Sequence, residues 1–245
     1  LKIADELCAE YIATGHDDSV QKLANQRCAI TNSATAAKDQ TYALYQLTQK
    51  QLERTLMPVG VYEKDQIRQI ALEASIPVAT KADSQEICFI PDHDYAAYIE
   101  RNSDVVLPKE GDFVNTQGEI IGKHKGLIHY TVGQRKGLNL SVGHPVFVKE
   151  LKVEENQVVI GESKDLFTTV LQASPVHYMG IEKLTEPTRF LAKIRYGHKG
   201  QWCNVIPKED GSIECVFDEP VRAVTPGQSV VLYQDHYVAL GGVIQ

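Results

Sequence analysis

From Gly111 onward the chain is a succession of short β-type runs broken by turn residues, and this texture limits the possible folds more than any other feature. Phe113-Val114, then Thr116-Gln117-Gly118, then Ile120-Ile121 reads as a hairpin. Residues 146–153, the turn Glu154-Glu155-Asn156 and residues 158–160 read as a second. Further runs cover residues 190–196, 202–206, 212–217, 229–233 and 237–240. Strands this short and evenly spaced bury their apolar faces by stacking sheets or closing a barrel. The spacing therefore predicts a barrel or sandwich, in two units with a boundary near residues 162–166.

Ahead of this region the periodicity is helical. Residues 1–11 place Leu1, Ile3, Ala4, Leu7 and Cys8 on one stripe, with no capping residue before them and no initiator methionine. The expectation is that the chain begins inside a domain. Residues 11–14 form a β-type run that ends in Gly15-His16, and residues 27–30 read as another short strand. In an α/β sheet ligands sit at the carboxyl ends of strands, where glycine lets them approach the backbone; a plain turn is the alternative for Gly15-His16. Tyr42, Leu44, Tyr45 and Leu47 predict a helix over 39–47, and Thr48-x-x-Gln51 is a capping box that opens a second helix through Leu56. Met57-Pro58-Val59-Gly60 is a break, residues 63–74 a third helix, and Val78-Ala79 a strand-like pair after Pro77. Alternation of this kind through about residue 95 is the pattern of an α/β layer with a central sheet.

Hydrophobic residues make up 43% and charged residues 23% of the chain, and no apolar run approaches the roughly 20 residues of a membrane helix. The five cysteines (Cys8, Cys28, Cys88, Cys203, Cys215) show neither a C-x-x-C pair nor zinc-ligand spacing, which argues against a structural metal. An odd count without a secretory signal points to a reducing compartment. A formal charge of −7 opposes nucleic-acid binding unless the basic residues are segregated, and they are. Residues 121–149 hold Lys123, Lys125, Arg135, Lys136 and Lys149 with three histidines and no acid; residues 187–207 hold Arg189, Lys193, Arg195 and Lys199 among Tyr196, His198 and Trp202, again with no acid. Cations neutralise phosphates and rings stack on unpaired bases, so each stretch has the composition of an RNA-contacting surface. A solvated face with partners elsewhere in the chain is the alternative. Cys88 follows the polar run Asp83-Ser84-Gln85-Glu86 and precedes Phe89-Ile90, where a loop enters a buried edge. Such a thiol is either a rigidly held nucleophile or sulfur carrier, or a small core residue.

Seven segments, in order along the chain, resemble the tRNA-specific 2-thiouridylase family. They are A-T-G-H (13–16), K-D-Q-T-Y-A-L-Y-Q-L (38–47), D-S-Q-E-I-C-F-I (83–90), H-K-G-L-I-H-Y-T-V-G-Q-R-K-G-L (124–138), K-I-R-Y (193–196), A-V-T-P-G-Q (223–228) and L-G-G (240–242). The resemblance implies the C-terminal part of an adenine-nucleotide-hydrolase-like (PP-loop) α/β domain over 1–98, a small mostly β central domain over 99–164 and a C-terminal β-barrel over 165–245. It implies that Cys88 accepts sulfur as a persulfide, that Gly15 contacts nucleotide, and that His16, Lys38, Asp39, Gln40, Arg195, Tyr196 and Gln228 contact tRNA. It further implies ATP with Mg as cofactor, no structural metal, a sulfur-donor protein as partner, and a monomeric, cytoplasmic protein. In the family a second cysteine frees the sulfur by closing a disulfide with the first. The family's Ser-Gly-Gly-x-Asp-Ser pyrophosphate-binding loop and that second cysteine do not occur in the chain, and the expectation is a truncated form, inactive by itself. Asp17-Asp18 also departs from the family pattern, placing two acids beside the presumed phosphate path. A tRNA-docking module without catalysis and another PP-loop adenylating enzyme are the rival readings.

Overall fold

The computed structural model describes residues 1–32, 40–81, 90 and 94–245. In chain order the elements are α1 (Lys2–Glu6), β1 (Ile12–Ala13), β2 (Ser19–Lys22), β3 (Cys28–Thr31), α2 (Thr41–Leu44), α3 (Gln49–Leu52), β4 (Thr55–Leu56), α4 (Lys64–Glu73) and α5 (Tyr95–Asn102). Strands follow: β5 (Gly111–Val114), β6 (Ile120–His124), β7 (Phe147–Lys152), β8 (Gln157–Gly161), β9 (Phe167–Tyr178), β10 (Thr188–Lys193), β11 (Gln201–Pro207), β12 (Ile213–Arg222), β13 (Ser229–Gln234) and β14 (Tyr237–Ile244). They form two compact units, one of Leu1–Lys81, Thr169–Pro220 and Thr225–Gln245, the other of Ala82–Thr168 and Val221–Val224.

In the first unit β13-β10-β11-β12-β9-β14 run side by side and β13 pairs again with β14, which closes a six-stranded barrel. Alternation fills it: Phe190 and Ala192 on β10, Cys203 and Val205 on β11, and Ile213, Cys215 and Phe217 on β12 are buried while their neighbours are not. Strand β13 departs from this, with Val230, Val231, Leu232 and Tyr233 all buried. Its second face is covered, because Val231 and Tyr233 pack with Tyr42, Tyr45, Leu52 and Met57 in one cluster that also takes in Ile30, Met179 and Val238.

The N-terminal hairpin β2–β3 continues the barrel sheet, β3 meeting β14 at Thr31↔Tyr237. Among the described residues the parallel α/β-type contribution is β1 beside β4, Ile12↔Thr55 and Ala13↔Leu56. Four local expectations are corrected. The first helix covers only Lys2–Glu6. The helix expected over 39–47 covers only Thr41–Leu44 among the described residues. The helix expected through Leu56 stops at Leu52, because Thr55 and Leu56 are drawn into the pair with β1 and the Arg54 guanidinium bonds the carbonyls of Ala9 and Glu10 at 2.7 and 2.9 Å. Val78 and Ala79 lie in consecutive turns, Ala79 N–H donating to Ile76 and Lys81 N–H to Val78.

The second unit is a four-stranded sheet, β6-β5-β8-β7, with both expected hairpins present and β5 parallel to β8. Its core is Phe113, Leu127, Tyr130, Leu138, Val148, Val158 and Ile160.

Candidate nucleic-acid interface

Gly15 and His16 follow β1 directly. Gly15 is exposed, and a Cβ built on it meets nothing within 4 Å, so its backbone is open to a ligand. The His16 ring is held through Nδ1, 2.8 Å from Thr14 Oγ1. Gln40 then ties the loop down: its side-chain carbonyl accepts from Asp17 N–H at 3.1 Å and its own N–H donates to Asp18 Oδ1 at 3.3 Å. Asp18 is fully buried, so one of the two acids expected beside a phosphate path is instead an internal acceptor. Gly60 closes in from behind, since a Cβ there would stand 1.9 Å from the Asp18 carbonyl oxygen. Cys88, Lys38 and Asp39 lie outside the described residues.

On the barrel, Arg195 and Tyr196 are exposed in the connection between β10 and β11, and Gln228 is exposed at the start of β13. His198 N–H donates to the Arg195 carbonyl at 3.0 Å. The His198 ring is half-buried; burial first, then the charges of Arg195 and Lys193, lower its pKa, opposed by a hydrogen bond with the Ala192 backbone. Gln228 is fixed through its backbone, its N–H donating to Thr225 at 3.1 Å and its carbonyl accepting from Ile244 N–H at 2.7 Å. Next to it Ser229 meets α2, where the Tyr42 hydroxyl donates to the Ser229 carbonyl at 2.8 Å. Burial raises the Tyr42 pKa, and the nearby Arg195 charge is one of the influences that pull it back. The structure thus brings Gly15, His16 and Gln40 together at one end of α2, and joins α2 to Ser229, the residue after Gln228, through the Tyr42 hydroxyl. In the sequence Tyr42, inside the 38–47 segment, stands out only as a helix-face residue, and Ser229, directly after the 223–228 segment, does not stand out at all.

The two basic stretches divide into surface and structure. Arg189 pairs with Asp218 and lies over the Trp202 ring at 5.7 Å, so these two side chains already serve the barrel wall. Lys193 lies over the Tyr233 ring at 5.2 Å. In the other unit Lys123 pairs with Asp112 at 2.6 Å, and His124 is buried, accepting from Gly126 N–H at Nδ1 and reaching the Asn156 carbonyl with Nε2. Lys125, Arg135 and Lys136 remain exposed there, and Arg195, Tyr196 and Lys199 on the barrel.

Cys28, Cys203 and Cys215 are buried and Cys8 is exposed. A hydrogen bond with Cys203, then burial, pushes the Cys215 thiol well up, the environment of a structural thiol. Among the described residues no group of three or more His, Cys, Asp or Glu could hold a metal ion, and no helix is long and apolar enough to cross a membrane.

Three family models match in sequence order: a tRNA methyl transferase HUP domain over residues 1–92, a tRNA methyl transferase PRC-barrel domain over 103–162 and an aminomethyltransferase beta-barrel domain over 168–244. The tRNA-specific 2-thiouridylase MnmA of Lachnoclostridium phytofermentans is 51% identical over 98% of this chain and 67% of its own length. The proteins of the same name from Acetivibrio thermocellus and Clostridioides difficile are 49% and 46% identical, over 96% and 100% of this chain and 66% and 68% of theirs. The chain spans about two thirds of the length of these relatives.

Proposed function

Because the chain belongs to the tRNA-specific 2-thiouridylase family, we propose that it serves the ATP-dependent exchange of the wobble-uridine C2 oxygen for sulfur. Identity near one half along the entire chain carries this reading. Methyl transfer, named by two of the family models, is set aside because the relatives that match along nearly all of this chain carry the thiouridylase name.

Uridine C2 is a poor electrophile, and ATP, when bound, supplies the adenylyl group that turns the C2 oxygen into a leaving group. Gly15 fits the nucleotide side of such a site, since its open backbone tolerates close approach. Phosphates need converging backbone N–H groups of the Ser-Gly-Gly-x-Asp-Ser kind, which these 245 residues do not contain. In this reading the stretch alone binds tRNA without thiolating it, and Mg accompanies the nucleotide. Cys88 carries a persulfide received from a donor protein. Its terminal sulfur attacks C2 and AMP departs with the oxygen; a second thiolate then attacks the Cys88 sulfur, breaks the S–S bond and leaves the sulfur on C2, the two cysteines ending as a disulfide.

His16, Lys38, Asp39, Gln40, Arg195, Tyr196 and Gln228 are assigned to tRNA contact. For His16, Gln40, Arg195, Tyr196 and Gln228 the support is placement: a loop tethered by Gln40 just ahead of α2, and exposed basic, aromatic and amide side chains at the barrel. Lys38 and Asp39 are assigned on the resemblance alone. The working division remains 1–98, 99–164 and 165–245, in a monomeric cytoplasmic protein. Cys88→Ser in the complete thiolating protein should abolish thiouridine formation and leave the tRNA Kd within about twofold, as for a substitution outside the RNA contacts. Thiolation that survives the change would remove Cys88 from the chemistry. Loss of tRNA affinity together with activity would make it a structural thiol.

A further inference from the structure

Residues 41–45 of the 38–47 segment, Ser229 directly after the 223–228 segment, and Gly241 of L-G-G (240–242) meet at one joint. The Tyr42 hydroxyl donates to the Ser229 carbonyl at 2.8 Å and accepts from the Ser229 N–H at 3.2 Å. The Tyr45 hydroxyl is 3.0 Å from Ser229 Oγ, and Thr41 Oγ1 is 2.9 Å from the Tyr233 hydroxyl. The Tyr45 ring occupies the space that Gly241 leaves open, for a Cβ at 241 would stand 2.4 Å from Tyr45 Cδ2. Thr41, Tyr42 and Tyr45 are all buried. A four-residue helix has no stability of its own in water, so these contacts decide where α2 sits.

Each side of the joint borders a residue assigned to RNA. Gln40 immediately precedes Thr41 and holds the Gly15-His16 loop through Asp17 and Asp18. Gln228 immediately precedes Ser229, and Arg195 follows β10, the strand that pairs with β13 at Leu191↔Tyr233, Ala192↔Leu232 and Lys193↔Val231. We propose that Tyr42 and Tyr45 are positioning residues for RNA binding: they fix the turn at Gln40 against Arg195 and Gln228, so that one RNA engages both. The proposal rests on the tRNA contacts assigned above. Two contact patches on a rigid frame act as a single bivalent site, because the first contact sets the effective concentration for the second. Loosening the frame lowers that concentration while leaving each patch intact.

Tyr42→Phe keeps the ring and deletes both bonds to Ser229. In the full chain, with an in vitro transcribed tRNA carrying a wobble uridine, the Kd should rise roughly 3- to 10-fold, the worth of one or two hydrogen bonds. In an Arg195→Ala/Gln228→Ala background the same change should add nothing, since the barrel patch is already gone. Gly241→Ala, which displaces the Tyr45 ring and touches no hydroxyl, should show the same dependence on background and stands in if Tyr42→Phe melts early. An equal loss in both backgrounds would make the tyrosines plain scaffold or direct contacts and overturn the proposal, as would no loss in either. If Arg195→Ala/Gln228→Ala itself leaves the Kd unchanged, the assignment of the barrel to RNA fails first and the joint loses its role with it.

Discussion

His198 shows how single side chains here answer to their surroundings. Its folded pKa is lowered, first by burial and then by the charges of Arg195 and Lys193. The unfolded chain therefore takes up a proton at a higher pH than the folded one. The stabilising contribution is complete above the ordinary histidine value and is lost as pH falls through the folded pKa. His198→Asn should accordingly flatten the decline of Tm between about pH 7 and pH 5. A decline as steep as in the parent would show that other groups set the acid limb. At this scale the site was only partly legible in the chain. Gly15, His16, Arg195 and Tyr196 carry motif chemistry, and the sequence marks them as candidates. Asp18 reads as surface charge, yet it is buried, because its acceptor role depends on Gln40, 22 residues away. His124 reads as part of a basic patch, yet it is a core side chain whose ring packs edge-on to Phe113 and Tyr130.

The capping box and the hairpins, each with a local rule behind it, are where pattern predicts them. The helices read from periodicity over 1–11 and 39–47 are instead cut to Lys2–Glu6 and Thr41–Leu44. Thr48 and Gln51 form the capping box the spacing implies, with Gln51 N–H donating to Thr48 Oγ1 at 3.3 Å and Thr48 N–H to Gln51 Oε1 at 2.8 Å. The helix it opens is anchored by Gln49, which exchanges hydrogen bonds with Cys28 and donates to the Met179 carbonyl. Thr48→Ala should cost about 1 kcal/mol, read as a lower urea midpoint at unchanged slope. An unchanged midpoint would mean that Gln49 alone seats the helix. The barrel hairpins are legible for the same reason: alternation and turn residues are local signals. Strand β9 is not, because most of its side chains are exposed or half-exposed and it contains Pro175, which in sequence argues against a strand, so no apolar alternation survives to be read. Strand β2, Ser-Val-Gln-Lys, is equally silent, since it exists by virtue of a neighbour. The end of α3 and the start of β4 likewise follow from the pairing with β1, a partner more than 40 residues earlier.

Across the whole molecule a net charge of −7 sets the background against which any RNA must bind. Attraction then depends on the exposed Lys125, Arg135, Lys136, Arg195 and Lys199, and phosphates they neutralise release counterions. The tRNA Kd should rise steeply with salt, and Arg195→Ala with Lys199→Ala should reduce the log–log slope by about one for each phosphate that is no longer neutralised. A flat response in the parent would remove phosphate binding from the account. The sheet that holds these barrel cations also ties together distant parts of the chain: β2 and β3 are joined to β14 through Thr31 and Tyr237. During translation the early hairpin thus leaves the ribosome about 200 residues before the edge it will lean on exists, a wait of roughly 10–40 s at about 5–20 residues per second. For that interval the nascent hairpin has an unclaimed rim, and whatever shields it then governs how much of the protein reaches its native form.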